Sequence, residues 1–425
     1  MSRAMLYQSL TGMRDVLPDE QPYWRMIEKK IYEITALYGY QRVDPPILEE
    51  TALFVRGVGD ATDIVEKEMY SFIDKGENQV TLRPEFTAGF MRLYLQNGLH
   101  KLPKPVKLFS IGPIFRYEKP QSGRFRQHTQ FNVEAIGEQD AALDHEVMSI
   151  AWQLYAELGF KGLSFQLNST GCPRCRPIYV AKLREYYQGR ISEICDDCRR
   201  RLERNPLRLL DCKKDQCQPH IRSAPVIGDY LCEECARHFA ALRRYLDLTG
   251  RRYVVNPRLV RGLDYYTKTV FEVWAEGIGA QNAMCGGGRY DGLIEQLGGE
   301  PTPGIGFGSG IERIIMSMQQ QGIEPEPLPQ PMVFAAALGE AAREQALRLV
   351  FSLREAKIGT LFSFGDKSIK AMMRDANRRN ARLVILIGED ELAQDKAAVK
   401  NLLDGSQNLV PLDQVVDFIK HELGS

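Results

Sequence analysis

The chain has 425 residues, of which 44% are hydrophobic, so it is long enough for two or three globular domains. Its 55 basic and 55 acidic residues cancel, which excludes a general attraction of the whole chain to nucleic acid and leaves only local patches. No stretch approaches the roughly 20 apolar residues of a transmembrane helix, and MSRAMLYQSLTGMRDVLPDE at the start has no apolar signal-peptide core, so we expect a cytoplasmic protein.

The first chemically informative segment is TLRPEFTAGFMRLY (Thr81–Tyr94), which joins a short predicted strand to a predicted helix with apolar periodicity. Glu85 and Thr87 lie at this junction. A glutamate there complements the positive end of the helix dipole, which is the simplest interpretation. The alternative is that Glu85 accepts the ammonium group of a substrate.

The next segment, IFRYEKPQSGRFRQHTQFNVEAIG (Ile114–Gly137), alternates apolar and polar residues on both sides of a Pro-Gln-Ser-Gly turn. This pattern predicts an antiparallel β-hairpin with one buried face. The other face of such a hairpin is usually just in contact with water. Here it concentrates arginine, glutamine and glutamate, whose planar groups suit phosphate and ammonium ligands. The hairpin is therefore a candidate binding face.

Eight of the nine cysteines follow in four pairs: Cys172 and Cys175, Cys195 and Cys198, Cys212 and Cys217, and Cys232 and Cys235. Disulfides are not expected in a cytoplasmic protein. The first two pairs have zinc-ribbon spacing, and four pairs supply enough thiolates for two tetrahedral Cys₄ sites. We therefore expect structural zinc, remote from the chemistry, although spacing leaves the pairing open, whether sequential or crossed. The alternative is a set of reduced thiols without metal.

The stretch that holds these cysteines is basic. Between Cys172 and Arg252 there are 18 Lys and Arg against 11 Asp and Glu, in a chain without net charge. Mixed strand and helix patterns precede and follow it. We therefore interpret residues 171–252 as a domain inserted into a larger domain that spans residues 1–325.

Three segments after the insertion resemble parts of a binding site. LVRGLDYYTKTVFEV (Leu259–Val273) groups Arg261, Tyr265 and Tyr266 before a predicted strand, although Arg261 alone could be an ordinary surface arginine. CGGGRYDGLIEQLGG (Cys285–Gly299) has three successive glycines, and these indicate that the backbone approaches a ligand closely. The same segment contains Tyr290.

The third segment, PGIGFGSGIERII (Pro303–Ile315), alternates glycine along a predicted strand and then begins a helix that carries Arg313. It matches neither a P-loop nor a dinucleotide fingerprint. Glycines on a strand leave room for a flat ring, and the arginine could meet a phosphate. Tight helix–sheet packing explains the pattern equally well.

The proline-rich segment QGIEPEPLPQP (Gln321–Pro331) predicts a linker. Beyond it, strand and helix patterns alternate, which predicts a small α/β domain over residues 331–425. One predicted helix carries five cations at helical spacing: Lys367, Lys370, Arg374, Arg378 and Arg379. A solvated helix face is the simplest explanation of this basic row.

Taken together, these segments resemble the class II aminoacyl-tRNA synthetases. GYQRVDPPILEETALF, the Phe-Arg-x-Glu of the hairpin and the glycine-rich strand ending in Glu-Arg are similar to motifs 1, 2 and 3 of that class. RGLDYYTKTVFE and GGGRYDGL look like the signature peptides of the histidyl-tRNA synthetase family, and VILIGEDEL resembles its anticodon-binding module. The resemblance is weakest over the insertion. It implies an α+β fold: an antiparallel-sheet catalytic domain with an inserted small domain, plus a C-terminal α/β anticodon-binding domain.

The resemblance also implies roles for individual residues. Arg116 and Arg261 would be catalytic, at the α-phosphate of ATP and beside the amino acid. Glu118 would support the nucleotide, and Arg313 would bind the terminal phosphates. The histidine substrate would be bound by Glu85, Thr87, Arg116, Gln130, Glu134, Arg261, Tyr265, Tyr266 and Tyr290. Two departures adjoin these residues: Phe86 replaces an expected glycine, and Gln127–Gln130 reads QHTQ instead of Gln-Phe-His-Gln.

The implied reaction activates histidine with ATP and Mg²⁺ to histidyl-adenylate, and then transfers histidine to the 3′ end of tRNA(His). The turn near Gln121–Arg124 would reach the acceptor end of the tRNA, and the basic row would contact its phosphates. Pro46, in motif 1, would lie in a homodimer interface, although a Pro-Pro pair can simply end a helix.

Two other functions share much of this pattern. A synthetase-like regulatory subunit of histidine biosynthesis would resemble the catalytic core, but such proteins usually lack the C-terminal domain and the catalytic residues. A class II synthetase for threonine, proline or glycine would share the type of C-terminal domain. RGLDYY and GGGRYD argue against that alternative.

Overall fold

The computed structural model describes residues 7–59, 62–119, 123–277 and 283–424. The chain forms two compact units, which divide between Glu326 and Pro327, within the proline-rich segment. Over the described ranges, no helix has the length and hydropathy that a membrane span requires.

Strands and helices alternate irregularly in the first unit. Its described strands are β1 (Gln41–Arg42), β2 (Leu48–Glu50), β3 (Tyr70–Ile73), β4 (Gln79–Leu82), β5 (Val106–Phe115), β6 (Gln127–Ile136), β7 (Ser164–Ser169), β8 (Tyr253–Val255), β9 (Thr267–Trp274), β10 (Ala283–Arg289) and β11 (Gly304–Gly310). Its described helices are α1 (Gln21–Leu37), α2 (Thr51–Val58), α3 (Thr87–Gln96), α4 (Ala141–Glu157), α5 (Arg176–Gln188), α6 (Asp196–Arg204), α7 (Gln218–Ser223), α8 (Glu233–Leu248), α9 (Leu293–Gln296) and α10 (Ile311–Gln320).

An eight-stranded sheet in the order β1-β5-β6-β11-β10-β9-β7-β8 organises this unit. Only its two outer pairs, β1 with β5 and β7 with β8, are parallel. The antiparallel β5–β6 hairpin is confirmed, with Gly112 opposite Gln130 and Leu108 opposite Glu134. A separate three-stranded sheet, β2-β4-β3, leads into α3.

The two faces of the large sheet are covered differently. One face packs against α1, α4, α8 and α10 in a core that includes Ile27, Ile31, Val133 and Phe307. Ile27 and Ile31 are four residues apart, so they share one side of α1. The opposite face meets α3, and the polar residues of β6 point to that side. The two-residue period of a strand therefore separates a packing face from a binding face.

The regular elements of the insertion, within residues 171–252, are helices, joined by loops. Its own core, which includes Tyr179, Leu183 and Leu209, extends to Ile227. By contrast, Leu242 and Leu246 of α8 belong to the core of the large sheet. The last helix of the predicted inserted domain thus packs as part of the surrounding domain.

The second unit is an α/β domain, as the C-terminal pattern predicts, and it contains a five-stranded sheet. Its strand order is β13-β12-β14-β15-β16, with β12 (Val333–Ala337), β13 (Thr360–Phe362), β14 (Leu383–Ile387), β15 (Lys396–Asn401) and β16 (Gln407–Pro411). Its described helices are α11 (Glu340–Glu355), α12 (Ile369–Arg378), α13 (Glu389–Ala393) and α14 (Val415–Leu423). An antiparallel-rich sheet in the first unit and an α/β second unit confirm the α+β fold class.

Candidate active site

Two buried carboxylates form the centre of the site. Glu134 on β6 is 1% exposed, and Glu85, just before α3, is 4% exposed. Thr87 connects them, because its backbone N–H donates to Glu85 Oε2 at 2.6 Å and its hydroxyl donates to Glu134 Oε1 at 2.7 Å. Glu85 also accepts the N–H of Ala88 at 2.9 Å. Glu85 therefore caps the first turn of α3, as the simpler interpretation predicts, while facing a second carboxylate.

Burial raises the pKa of Glu134 to about 8 and raises the pKa of Glu85 as well, because an ionised carboxylate loses its water here. The hydroxyl groups of Tyr290 and Thr87 partly offset this effect at Glu134. Within the part of the chain that the structure describes, neither carboxylate forms an ion pair. The pocket is thus suited to a ligand that brings its own positive charge.

Three tyrosines line the acidic pocket. Tyr290 donates its hydroxyl to Glu134 Oε2. The ring centroids of Tyr265 and Tyr266 are 4.7 Å apart, and those of Tyr265 and Tyr290 are 5.9 Å apart. All three side chains are buried. They offer flat apolar surface beside hydrogen-bonding groups, a combination that suits a polar aromatic ring.

Glycines of two adjacent strands form the floor of the site. A Cβ on Gly286 of β10 would lie 2.3 Å from the guanidinium of Arg261, and a Cβ on Gly306 of β11 would lie 1.9 Å from Glu134 Oε2. For the glycines of β11 the sequence left open whether they admit a ligand ring or serve tight packing, and for those of β10 it favoured close approach to a ligand. In the structure, the protein's own side chains lie against Gly286, Gly306 and Gly308. The ladder pairs Gly286 with Gly308, so Arg261 lies one strand away from Gln130, whose amide covers Gly308.

Arg261 is held by an acid that sequence reasoning did not single out. Its Nη1 donates to Glu272 Oε1 at 2.5 Å, and Glu272 also accepts the Trp274 indole N–H at 2.9 Å. Glu272 is opposite Gly286 in the ladder, directly beside the arginine. Arg261 is therefore an oriented, partly buried guanidinium on the binding face and not a surface arginine.

The residues assigned to phosphates converge at the end of the hairpin. Arg116 Nε donates to the carbonyl of Pro84 at 2.8 Å, one residue before Glu85, and its Nη1 lies 3.9 Å from Glu118. Arg313 on α10 donates to the carbonyl of Gly123 at 3.3 Å. Within the turn near Gln121–Arg124 that was expected to reach the tRNA, residues 121 and 122 lie outside the described residues.

Phe86, the first departure from the family pattern, is a packing residue. It is 1% exposed and lies edge-on to Phe90, with ring centroids 6.1 Å apart. Its ring is 4.0 Å from the guanidinium carbon of the buried Arg83. Arg83 in turn donates to the carbonyls of Pro113 and Pro45. The bulky residue therefore supports the junction of β4 and α3.

The second departure, QHTQ, keeps its terminal glutamine on the binding face. Burial, with a smaller effect of nearby Arg116, lowers the pKa of His128 to about 4, so this ring is neutral at physiological pH. The N–H of Thr129 donates to both oxygens of Glu312, at 2.9 and 3.0 Å. Through these hydrogen bonds, Glu312 of the Glu-Arg pair connects β6 to the start of α10.

Asn132 was also missed as a site residue. It lies between Gln130 and Glu134 on the same face of β6, and its buried Oδ1 has no hydrogen-bond partner among the described residues. The alternation along β6 would have identified it.

The Arg-Tyr-Asp peptide contains Arg289, which is fully buried and paired with Asp144 at 2.6 Å. Arg289 is therefore an anchor to α4.

The remaining candidates lie elsewhere. The eight cysteines form two groups of four, in a nested order that is neither sequential nor crossed: Cys172, Cys175, Cys232 and Cys235 in one group, and Cys195, Cys198, Cys212 and Cys217 in the other. Pro46 is exposed, beside β2. The basic row is exposed on and around α12, where Lys367 pairs with Asp375 at 2.6 Å.

Comparisons with known proteins agree with this geometry. Residues 12–174 and 219–314 match the model of the histidyl-tRNA synthetase family, and residues 332–422 match that of an anticodon binding domain. A histidine–tRNA ligase of Dehalococcoides mccartyi is 50% identical over 98% of this chain and 100% of its own length. One from Symbiobacterium thermophilum is 46% identical over 98% of this chain and 99% of its own length.

A solved structure shows the same likeness in three dimensions. Apo histidyl-tRNA synthetase of S. aureus superposes with a TM-score of 0.81 at 36% identity, over 98% of this chain and 100% of that one. The family model, the full-length relatives and this structure all indicate the same assignment. The chain belongs to the histidyl-tRNA synthetase family.

Proposed function

We propose that this chain is a histidine–tRNA ligase. It activates histidine with ATP to histidyl-adenylate and pyrophosphate, and then transfers histidine to the 3′ end of tRNA(His). The observation that carries the proposal is the pair of buried carboxylates, Glu85 and Glu134, which form no ion pair among the described residues, beside an oriented arginine, Arg261. An amino acid supplies the missing ammonium group, and its carboxylate can then meet a phosphate next to the arginine.

The amino acid is recognised by charge and shape. Its ammonium group binds among Glu85, Thr87 and Glu134, where it stabilises the ionised carboxylates that burial alone disfavours. Tyr265, Tyr266 and Tyr290 bound the imidazole ring, and Gln130 supplies a neutral hydrogen-bonding amide. An imidazole is flat and polar at two edges, so an aromatic wall with hydroxyl groups discriminates it from an aliphatic side chain.

ATP binds beside the amino acid, on the binding face of the sheet. Arg116 and Arg261 meet the α-phosphate, Glu118 supports the nucleotide, and Arg313 meets the terminal phosphates. Mg²⁺ enters as the ATP complex and neutralises part of the phosphate charge. In the adenylation step the carboxylate attacks the α-phosphorus and pyrophosphate leaves. The two arginines stabilise the charge that grows on the phosphate oxygens, and both are already held, by Pro84 and by Glu272.

The other parts of the chain bind tRNA and a second subunit. We assign residues 1–325 to catalysis, with residues 171–252 as a basic insertion, and residues 331–425 to anticodon binding. The exposed basic row of the last domain meets tRNA phosphates. A homodimer forms through the motif 1 region and the small sheet to which its strand β2 belongs: Leu48 on β2 and Phe72 and Ile73 on β3 are 45%, 48% and 67% exposed. The reaction belongs to the cytoplasm, where ATP and tRNA are present.

The decisive experiment is ATP–pyrophosphate exchange with each of the twenty amino acids, followed by charging of tRNA(His). Exchange with histidine alone is expected. Exchange with threonine, proline or glycine would assign the chain to another class II specificity. Histidine binding without any exchange would instead favour a regulatory role.

A further inference from the structure

The eight insertion cysteines are arranged in two nested groups. The first and last pairs along the chain meet in what we call the base group: Cys172, Cys175, Cys232 and Cys235. The two middle pairs meet in the outer group: Cys195, Cys198, Cys212 and Cys217. The base group therefore joins the two ends of the insertion, and the outer group lies within it. The family model does not match residues 175–218, so its match does not include the outer group.

The sulfur separations are those of a metal site. A regular tetrahedron with Zn–S distances of about 2.3 Å has edges of about 3.8 Å. In the base group, Cys172 is 3.7 Å from both Cys175 and Cys232, and Cys175 is 3.8 Å from Cys235. In the outer group the separations between Cys195 and Cys212 and between Cys198 and Cys217 are 3.8 and 3.9 Å. A disulfide would require about 2.05 Å.

We propose that each group binds one Zn²⁺ ion through four thiolates. All sulfurs within a group lie within 4.8 Å of one another, which suits a single ion and not a multi-iron cluster. Four protein ligands close the coordination sphere, as in structural zinc sites.

The surroundings of the sulfurs favour thiolates. Cys195 and Cys232 immediately precede α6 and α8, and Cys175 precedes α5, so the positive ends of three helices face the two groups. Backbone N–H groups also donate to sulfur. In the base group Cys172 N–H donates to Cys175 at 3.2 Å, and in the outer group Cys195 N–H donates to Cys217 at 3.3 Å.

The base group is connected to the amino-acid pocket. Arg176, next to Cys175, donates to the carbonyls of Thr170 at 3.0 Å and Asp264 at 3.4 Å, and also to the carbonyl of Tyr266. Glu234, between Cys232 and Cys235, forms an ion pair at 2.9 Å with the buried Lys268. Zinc at the base group therefore fixes both sides of the segment that positions Tyr266. This step rests on the proposed function, whereas the zinc sites themselves do not.

The outer group has a different mechanical role. Between Cys198 and Cys212, three arginines reach the segment after α2: Arg201 and Arg208 pair with Asp63, and Arg204 pairs with Glu66. Asn205 donates to Asp264 at 2.7 Å. Zinc at the outer group fixes the turn that presents these side chains, and so holds the insertion against the catalytic domain.

Elemental analysis of the full chain, purified without chelator, tests the metal. About two zinc ions per chain are expected, and Cys285→Ser, which changes the one cysteine outside both groups, should keep both. Absence of zinc, or iron in its place, would overturn the proposal.

The pairing is tested by alkylation of the native protein, with the modified cysteines identified by mass spectrometry. In the double variant Cys232→Ser/Cys235→Ser, one zinc should be lost, and Cys172 and Cys175 should become reactive while the outer group stays protected. Reactive Cys212 and Cys217 would instead indicate sequential pairing and refute the nested arrangement. If this variant does not fold, the wild-type chain decides: zinc should protect all eight thiols, and free reaction of either group contradicts the proposal.

The link to the pocket has its own readout. In Cys232→Ser/Cys235→Ser, the base variant, the KM for histidine should rise ~10-fold because the segment that carries Tyr266 is displaced. The kcat of this variant should change less. In Cys212→Ser/Cys217→Ser, the histidine KM should change less than in the base variant. Loss of one zinc from the base variant with an unchanged histidine KM would refute the positioning role and leave the proposed ligase activity intact.

Discussion

The guanidinium of Arg261 lies directly over the Cα of Gly286, where a Cβ would be only 2.3 Å away. Glu272, opposite Gly286 in the ladder, holds the same guanidinium from the side. A strand glycine and a neighbouring acid thus define the position of the arginine that the reaction requires.

We therefore expect Gly286→Ala to displace Arg261 without unfolding the sheet, because the obstructing atoms are the end of a flexible side chain. Adenylate formation, measured by pyrophosphate exchange, should fall toward the level of Arg261→Ala. Gly292→Ala is the matched control, since a Cβ there has no neighbour within 4 Å among the described residues. Equal effects of the two alanines would contradict the steric explanation.

Arg261→Ala itself should lower adenylate formation by roughly 10²- to 10³-fold, by analogy with the loss of an oxyanion-hole donor. Histidine affinity should change little, because the ammonium group is bound by Glu85 and Glu134. Exchange kinetics and equilibrium binding separate the two effects. Near-normal turnover in this variant would show that Arg261 does not stabilise the transition state.

The raised pKa of Glu134 predicts that histidine binding releases a proton near neutral pH. With a pKa of about 8, Glu134 is mostly protonated in the free protein at pH 7, and an ammonium group requires the ionised form. Calorimetry in buffers of different ionisation enthalpy measures this release. Glu134→Gln should lose it and bind histidine more weakly. An unchanged proton balance in that variant would assign the proton to another group.

The same shift makes the stability of the free protein depend on pH. Folding raises the pKa of Glu134 from 4.5 to about 8, so the folded state holds this proton more tightly than the unfolded chain does. The resulting stabilisation is fully present below pH 4.5 and is lost as the pH rises through 8. Glu134→Gln should therefore gain thermal stability relative to the wild type over this range. The exposed Glu300→Gln is the control and should show no such trend.

The basic row of α12 should contribute to tRNA binding and not to adenylation. Lys370, Arg374 and Arg378 are exposed, so replacing them with alanine should leave the domain folded. Affinity for tRNA should fall, and the slope of its logarithm against log salt should decrease by about one for each phosphate that is no longer neutralised. Pyrophosphate exchange in the absence of tRNA serves as the control. A parallel loss of exchange would mean that these residues have another role.

The exposed apolar residues of the small sheet predict the dimer interface. Phe72→Glu with Ile73→Glu should dissociate the homodimer, because a charge cannot be buried there without a partner. Light scattering at micromolar concentration should show a dimer for the wild type and a monomer for this variant. Leu403→Glu, at a 77% exposed position of the second unit, should remain dimeric. A monomeric wild type would reject the homodimer.

Local patterns in the sequence predicted several of the elements, whereas the roles of the candidate residues came from the resemblance to the family. Period-two alternation defined the β5–β6 hairpin, the strand-to-helix junction placed Glu85 and Thr87 together, and alternating patterns defined the C-terminal sheet. These signals are local, since they depend on the repeat of a strand or helix and on turn residues within a few positions.

The partners of these residues, by contrast, depend on how distant segments pack. Glu134 faces Glu85 because β6 runs beside α3, and burial there raises the pKa of a carboxylate that the sequence shows only as a polar strand residue. Gly286 contacts the guanidinium of Arg261 because two segments that are 25 residues apart in the sequence pack together at the sheet. The nested cysteine groups likewise depend on the path of the whole insertion. Spacing along a chain limits which pairs can meet, but packing over long sequence separations selects among them.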